Sequence, residues 1–291
     1  MDLAQFRVYF GDTTQVGSIV IENLEQWAEE LKGRKYAPGS IRRKFASLRV
    51  FLMYCVRKGV LTASPLWKMR LDIGRDQRLP RSITAADAKR LLESAWTQAG
   101  SLAAPAKSSS DRRFLALRNL VALELLFATG MRVGELVTLS LPDWLEDEAS
   151  LVIKGKGGRQ RLAILPDERS KAVVSAYITR RKALNLGHNA LLVNATGGQL
   201  TTQGVARNLA RLAVSSGISV RLTPHMVRHT VATLLLRQGA DIRVVQEVLG
   251  HASIAMTQRY THVSKEHLRA TLYAHHPNHH LGISWTIPVA G

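Results

Sequence analysis

Apolar residues recur every three or four positions in the first sixty residues, which is the spacing of one buried helix face. The pattern predicts a helix over residues 20–32 and a second helix that begins at Ser40, its expected N-cap, and ends near Gly59. The two apolar stripes consist of Ile21, Leu24, Trp27 and Leu31, and of Ile41, Phe45, Leu48, Leu52 and Cys55. A small helical domain is therefore expected at this end of the chain.

A charged, turn-prone stretch at residues 74–82 is predicted to be an interdomain linker. Beyond it, the pattern predicts helices over residues 85–97, 114–127, 132–139 and 241–249. Two short apolar segments, residues 151–153 and 161–165, flank a turn of Gly155, Lys156, Gly157 and Gly158, which is typical of a β-hairpin. The second part of the chain is therefore expected to be mostly helical with a small sheet.

The charge balance points to a polyanionic partner. The chain has 291 residues, about twice a typical domain, and carries 40 Lys plus Arg against 22 Asp plus Glu, a formal net charge of +18. A net positive charge of this size favours binding to the phosphate backbone of a nucleic acid. The alternative is that the charge only keeps the protein soluble. Arg42, Arg43 and Arg49 project away from the apolar stripe of the second helix, as either a DNA-binding face or a solvated one.

Several classes of protein are disfavoured. Cys55 is the only cysteine, so neither a disulfide framework nor a cysteine-based metal site is expected. No apolar stretch reaches the roughly 18 residues of a membrane span, and the first twenty residues lack the apolar core of a secretory signal. We expect a cytoplasmic, nucleoid-associated protein with no membrane contact.

His225 and Arg228 form a candidate anion site. Thr223 and Pro224 are suited to the N-cap and first position of a helix, and a spacing of three places both side chains on one face. The unpaired N–H groups of a first helical turn favour an anion such as phosphate. A capping histidine beside a surface arginine is the plainer alternative, and a metal pair with His229 is disfavoured because no carboxylate follows the first histidine.

Four further residues are candidates for a catalytic role, although none of them indicates such a role when taken alone. Glu135 lies three residues after Arg132, so a buried Glu135 could orient its guanidinium by a bidentate pair, although such pairs are common on surfaces. Lys156 lies in the glycine-rich turn, where an exposed lysine without function is the usual case. Tyr260 can act as a nucleophile only if its phenolate is stabilised locally, because a tyrosine pKa is near 10.

Four ordered motifs make the chain similar to the tyrosine recombinases, particularly the compact Xer-type and integrase-like members. These motifs are ATGMRVGEL, GKGGRQR, HMVRHT and LGHASIAMTQRYTHV, and the resemblance covers roughly residues 15–275. It identifies the catalytic residues as Arg132, Lys156, His225, Arg228, His251 and Tyr260, with Glu135 in support. Gly158, Arg159 and Gln160 depart from the usual triplet after the turn glycine, and Ala163 stands where the strand often has Val-Pro.

The resemblance implies an α+β fold that is mostly α. It comprises a helical N-terminal core-binding (SAM-like) domain over residues 1–79, a mixed α/β catalytic domain with a small antiparallel sheet over residues 80–275, and a tail over residues 276–291. The two domains would form a clamp around duplex DNA. The tail would extend onto a neighbouring protomer, although its histidines, His275, His276, His279 and His280, also raise a metal alternative.

The implied reaction is site-specific strand exchange. Tyr260 would attack a scissile phosphate to give a 3′-phosphotyrosyl bond and a free 5′-hydroxyl, with no ATP, metal or other cofactor. The partners would be double-stranded recombination sites and either a homo-oligomer, tetrameric in the synapse, or a second recombinase. The alternative is a catalytically silent, DNA-binding architectural protein of the same fold, whose signature would be loss of the tyrosine or of an arginine.

Overall fold

The computed structural model describes residues 2–11, 14–73, 82–100, 108–155, 160–250 and 265–282. The chain divides into two compact units, Met1–Leu79 and Pro80–Gly291. The fold is mostly helical with one small antiparallel sheet, as the sequence predicts. None of the helices in these described parts combines the length and apolar character needed to cross a bilayer.

The first unit is a small helical bundle. Its helices are α1 (Asp2–Phe10), α2 (Ile21–Gly33) and α3 (Pro38–Arg57). Trp27 of α2 lies at its centre, with ring centroids 5.2 Å from Phe6 and 5.0 Å from Phe45. All five residues of the predicted α3 stripe are buried, which confirms that periodicity.

The start of α3 differs from the prediction. Ala37 is the N-cap and Pro38 is the first helical residue, so Ser40 lies within the first turn and the prediction that it caps the helix is wrong. The fixed φ of proline suits the first helical position, where its missing N–H costs nothing. That preference places the start of the helix two residues before the serine.

The second unit is built around α5 (Arg112–Thr129), which is buried along most of its length. The helices that pack on α5 are α4 (Ala85–Ala99), α6 (Val133–Thr138), α7 (Glu168–Ala183), α8 (Thr202–Ser215) and α9 (Pro224–Arg237). The chain continues through α10 (Ile242–Leu249), α11 (Lys265–His275) and α12 (Pro277–His280). Asp241 is the N-cap of α10 and Gly250 ends it, so the predicted helix over residues 241–249 is present and begins one residue later.

The sheet contains β1 (Trp144–Leu145), β2 (Ser150–Lys154) and β3 (Gln160–Ile164), in that order and antiparallel. Its β2–β3 register pairs Lys154 with Gln160 and Ile153 with Arg161, which confirms the predicted hairpin. Because side chains alternate between faces, Arg161 lies on the same face as buried Ile153 and Ala163.

The first part of the predicted tail packs on its own unit. His276 is fully buried, and its Nε2 lies 3.1 Å from the Ala128 carbonyl oxygen of α5. Asn278 donates a 3.1 Å hydrogen bond from Nδ2 to Oδ2 of Asp167, the N-cap of α7. Residues 283–291, which include most of the segment predicted to reach a neighbouring protomer, lie outside the described residues.

Candidate active site

The turn between α5 and α6 presents Arg132. Gly130 ends α5 in the left-handed conformation, with φ of +57°. A Cβ at this position would lie 2.5 Å from Cδ2 of Leu249, so glycine is required both for the backbone conformation and for the close approach of α10. Arg132 follows as the extended N-cap of α6, and its side chain is 49% exposed, which leaves it accessible to a ligand.

Glu135 joins two arginines. Its Oε1 accepts a 2.9 Å hydrogen bond from Nη1 of Arg132, and its Oε2 accepts one of 2.9 Å from the Arg132 backbone N–H. Oε2 also accepts a 3.1 Å hydrogen bond from Nη2 of Arg161. The carboxylate therefore bridges Arg132 and Arg161 instead of forming the expected bidentate pair with Arg132 alone.

The charge state of Glu135 follows from these contacts. Burial alone would raise the pKa of the carboxyl, but the Arg132 backbone N–H and the two guanidinium groups outweigh burial and hold the pKa below its ordinary value. Glu135 is therefore ionised at neutral pH. One negative charge at this point faces the positive charges of Arg132 and Arg161.

Arg228 lies in α9 with only 6% of its surface exposed. Thr223 caps this helix by accepting a 3.3 Å hydrogen bond from the Met226 N–H, and Pro224 is the first helical residue, as predicted. Nη1 of Arg228 donates a 2.7 Å hydrogen bond to the Gly130 carbonyl oxygen. Its Nη2 is buried and has no hydrogen-bond partner among the described residues.

The electrostatics of Arg228 fit an anion site. Burial and the nearby positive charge of Arg132 lower its pKa to about 10, while Glu135 opposes the shift. The side chain therefore stays cationic at neutral pH, although it has lost much of its hydration. An anion beside Nη2 would offset both the desolvation and the repulsion between the arginines.

The structure brings three of the sequence-predicted residues into one site, Arg132, Glu135 and Arg228. The carbonyl oxygen of Gly250 joins them, since Nη1 of Arg132 lies 3.2 Å from it. His225 is exposed in the first turn of α9, three residues before Arg228 and on the same face. Lys156, His251 and Tyr260 lie outside the described residues, and their roles stay predictions.

Comparisons with known proteins identify the family of the chain. Residues 84–267 match the model of the phage integrase family. The tyrosine recombinase XerC of Listeria monocytogenes serotype 4a (strain HCC23) is 34% identical over 283 residues, which are 95% of this chain and 89% of that protein. The chain belongs to the phage integrase family. It is a site-specific tyrosine recombinase, an enzyme that cleaves and rejoins DNA strands through a 3′-phosphotyrosyl intermediate.

Other recombinases share its sequence and fold. The tyrosine recombinase XerD of Caulobacter vibrioides is 36% identical over 263 residues, covering 88% of this chain and 81% of that protein. The XerH site-specific recombinase, bound to palindromic difH substrate in a post-cleavage complex, has a TM-score of 0.69 at 21% identity and covers 97% of this chain and 76% of its own. A lambda integrase tetramer bound to a Holliday junction has a TM-score of 0.60 at 19% identity, with 90% and 72% covered. These two structures establish the fold.

One residue of the candidate site, Arg161, is not among the residues that the sequence predicts. It contacts Glu135 and also lies 3.5 Å from the Leu249 carbonyl oxygen. The sequence does contain an indication of this role. Arg161, Ala163 and Leu165 occupy every second position of a predicted strand, so Arg161 falls on the apolar face. An arginine on such a face needs a buried partner.

The other candidate residues of the recombinase are three arginines of α3 and four C-terminal histidines. Arg42, Arg43 and Arg49 are exposed along α3, as expected, and Nη2 of Arg42 donates a 2.8 Å hydrogen bond to the Ile73 carbonyl oxygen. The four C-terminal histidines contact four different carbonyl oxygens, those of Gln238, Ala128, Pro166 and Ala274. Among the described residues no group of three or more potential ligands could hold a metal ion.

Proposed function

We propose that Arg132 and Arg228 bind the non-bridging oxygens of the scissile phosphate, where negative charge accumulates in the transition state. The observation that carries this proposal is the buried Nη2 of Arg228, which has no partner among the described residues. It lies near Glu135, whose single carboxylate already pairs with both Arg132 and Arg161. A dianionic phosphorane would supply the missing charge.

Tyr260 is the nucleophile in this proposal. Its phenolic oxygen attacks phosphorus, the bond from phosphorus to the 5′ oxygen breaks, and the strand is left as a 3′-phosphotyrosyl ester. His225 accepts the phenolic proton, Lys156 protonates the departing 5′ oxygen, and His251 donates a hydrogen bond to the phosphate. Attack by a partner strand's 5′-hydroxyl reverses the step. One phosphoester bond replaces another throughout, so no ATP, metal or other cofactor is required.

The partners follow from the same proposal. The first unit, residues 1–79, is the core-binding domain, and residues 80–275 form the catalytic domain, so that duplex DNA contacts both. XerH in complex with difH and the lambda integrase tetramer on a Holliday junction support a DNA partner and assembly of several protomers. The first part of the tail over residues 276–291 packs on its own unit, and the rest would contact a neighbouring protomer. The protein would act in the cytoplasm, at the nucleoid.

A suicide substrate tests the nucleophile. In a duplex with a nick close to the cleavage position, cleavage releases a short fragment that carries the free 5′-hydroxyl. Because this fragment dissociates, it cannot reverse the step, and the covalent adduct accumulates and survives SDS. The unaltered protein is expected to form the adduct, and Tyr260→Phe is expected to form none. Tyr273→Phe is the matched control, since Tyr273 is a tyrosine of α11 with 72% of its surface exposed. An adduct in Tyr260→Phe would overturn the assignment.

A further inference from the structure

Arg161 lies where three parts of the catalytic domain meet. Its side chain, only 16% exposed, extends from β3 to Oε2 of Glu135 in α6, at 3.1 Å, and toward the Leu249 carbonyl oxygen at the end of α10. Its Nε is buried and has no hydrogen-bond partner among the described residues. Arg132 also reaches Glu135 and the Gly250 carbonyl oxygen, so both arginines connect α6 to the C-terminal end of α10, but only Arg161 does so from the sheet.

Gly250 makes room for this arrangement. It ends α10 in the left-handed conformation with φ of +63°. A Cβ at Gly250 would lie 2.9 Å from both Cδ and Cζ of Arg161, so any larger residue would displace the guanidinium. The close contact between β3 and the end of α10 therefore depends on both residues. His251 is the next residue in the sequence.

The contact with Glu135 also determines how Arg132 is held. Because Arg161 occupies Oε2, the other oxygen of the carboxylate is directed at Nη1 of Arg132. Burial lowers the pKa of Arg161, and the negative charge of Glu135 counteracts that effect. Glu135 therefore stabilises the charged form of this buried arginine. A buried cation is costly unless it is paired, so an apolar residue would suit the fold alone at least as well.

We propose that Arg161 is a positioning residue for strand cleavage, which acts by fixing Glu135 against Arg132 and by fixing the end of α10. This inference rests on the proposed function, because its effect is on the group that binds the scissile phosphate. Arg161 itself does not contact the reacting atoms in this account. Its loss therefore slows the chemical step and leaves DNA affinity nearly unchanged.

The test measures single-turnover cleavage of the nicked duplex at saturating protein, together with DNA affinity. Arg161→Ala is expected to lower the cleavage rate by on the order of 10²-fold, the loss associated with a misplacement of about 1 Å. Affinity is expected to change by less than about threefold. Lys154→Ala is the matched control, since Lys154 is a cation of the same hairpin but pairs with Asp143, at 2.9 Å. It is expected to cleave at the rate of the unaltered protein.

Two further variants separate positioning from charge or folding. Arg161→Lys keeps the charge but lacks the planar fork that reaches two acceptors, so it is expected to lose roughly tenfold in cleavage rate. This variant decides the question if Arg161→Ala fails to fold. In a Glu135→Ala background, Arg161→Ala is expected to cost far less than in the unaltered protein, because the two residues act together.

The outcomes distinguish this inference from the proposed function. If the unaltered protein forms no adduct, the proposed function fails. If it forms the adduct and Arg161→Lys cleaves at the full rate, Arg161 contributes charge alone and the inference is wrong. Additive losses in the Glu135→Ala background, or equal effects of Arg161→Ala and Lys154→Ala, would also overturn it.

Discussion

Arg228 of α9 donates a 2.7 Å hydrogen bond from Nη1 to the carbonyl oxygen of Gly130, the residue that ends α5. This bond joins the helix that carries Arg228 to the turn that presents Arg132, the other arginine of the proposed phosphate site. Since Nη1 is used in this way, Nη2 is the nitrogen left for a ligand. The Gly130 carbonyl therefore orients the guanidinium of Arg228, and the turn at Gly130 leads into Arg132.

Gly130→Ala is expected to destabilise the protein by roughly 2 kcal/mol or more, because an alanine is strained at a φ of +57° and its Cβ would overlap Leu249. The free energy of unfolding, measured with urea, checks this. Gly134→Ala is the control, since a Cβ there meets no atom within 4 Å and Gly134 lies in α6. A gain of about 0.5–1 kcal/mol is expected for it. Equal stabilities of the two variants would contradict the account of the turn.

Arg49→Ala is expected to weaken DNA binding and to reduce the slope of log affinity against log salt by about one, as the loss of one phosphate contact does. Arg42 and Arg49 are two helical turns apart and lie on one exposed face of α3. Arg34→Ala removes the same charge from a residue that pairs with Glu30, and it is expected to leave the slope unchanged. Identical slopes for the two variants would indicate that the α3 face does not contact DNA.

Stability is expected to depend on pH through His276. Burial lowers the pKa of His276 to about 4 in the folded protein, against an ordinary value of 6.5. Below pH 6.5 the unfolded chain takes up a proton that the folded chain excludes, so the free energy of unfolding decreases as the pH falls toward 4. The full contribution, roughly 3 kcal/mol, is present only above about pH 6.5.

Urea unfolding between pH 7 and pH 4.5 measures this effect. His276→Gln is expected to flatten the pH dependence, whereas His275→Gln should retain it, because His275 is only half-buried beside the Gln238 carbonyl oxygen. If the His276→Gln variant keeps the slope of the unaltered protein, another group is responsible. The buried state of His276 would then have no energetic consequence in this range.

Much of the fold could be predicted from local patterns. The apolar stripe of α3, the Thr223-Pro224 start of α9 and the pairing of β2 with β3 all depend on residues close in sequence. The error at Ser40 has a local cause as well, because two competing start signals stood two residues apart. Patterns of this kind specify elements but not the contacts between them.

The site could be predicted only in part, for a physical reason. The pair of Arg132 and Glu135 is local, but the bridge from Glu135 to Arg161 spans twenty-six residues and the bond from Arg228 to Gly130 spans ninety-eight. The burial of His276 likewise depends on α5 and α7, far away in sequence. Chain spacing carries no information about such contacts, and ordered motifs indicated the site without its geometry.

In the proposed function, Arg228 neutralises charge on the scissile phosphate. The sharpest test of this role combines a change in the protein with a change in the substrate. Single-turnover cleavage is measured for the unaltered protein, for Arg228→Ala and for Arg237→Ala, an exposed arginine in the last turn of the same helix. Each protein is given DNA with an ordinary phosphate or with an uncharged methylphosphonate at the cleaved position.

Arg228→Ala is expected to bind both DNAs nearly as well as the unaltered protein and to lose at least about 10²-fold in cleavage of the ordinary phosphate. Its loss on the methylphosphonate should be several-fold smaller, since there is less charge to stabilise. Arg237→Ala should match the unaltered protein on both. An equal loss on the two substrates, or a loss of binding as large as the loss of cleavage, would contradict the account.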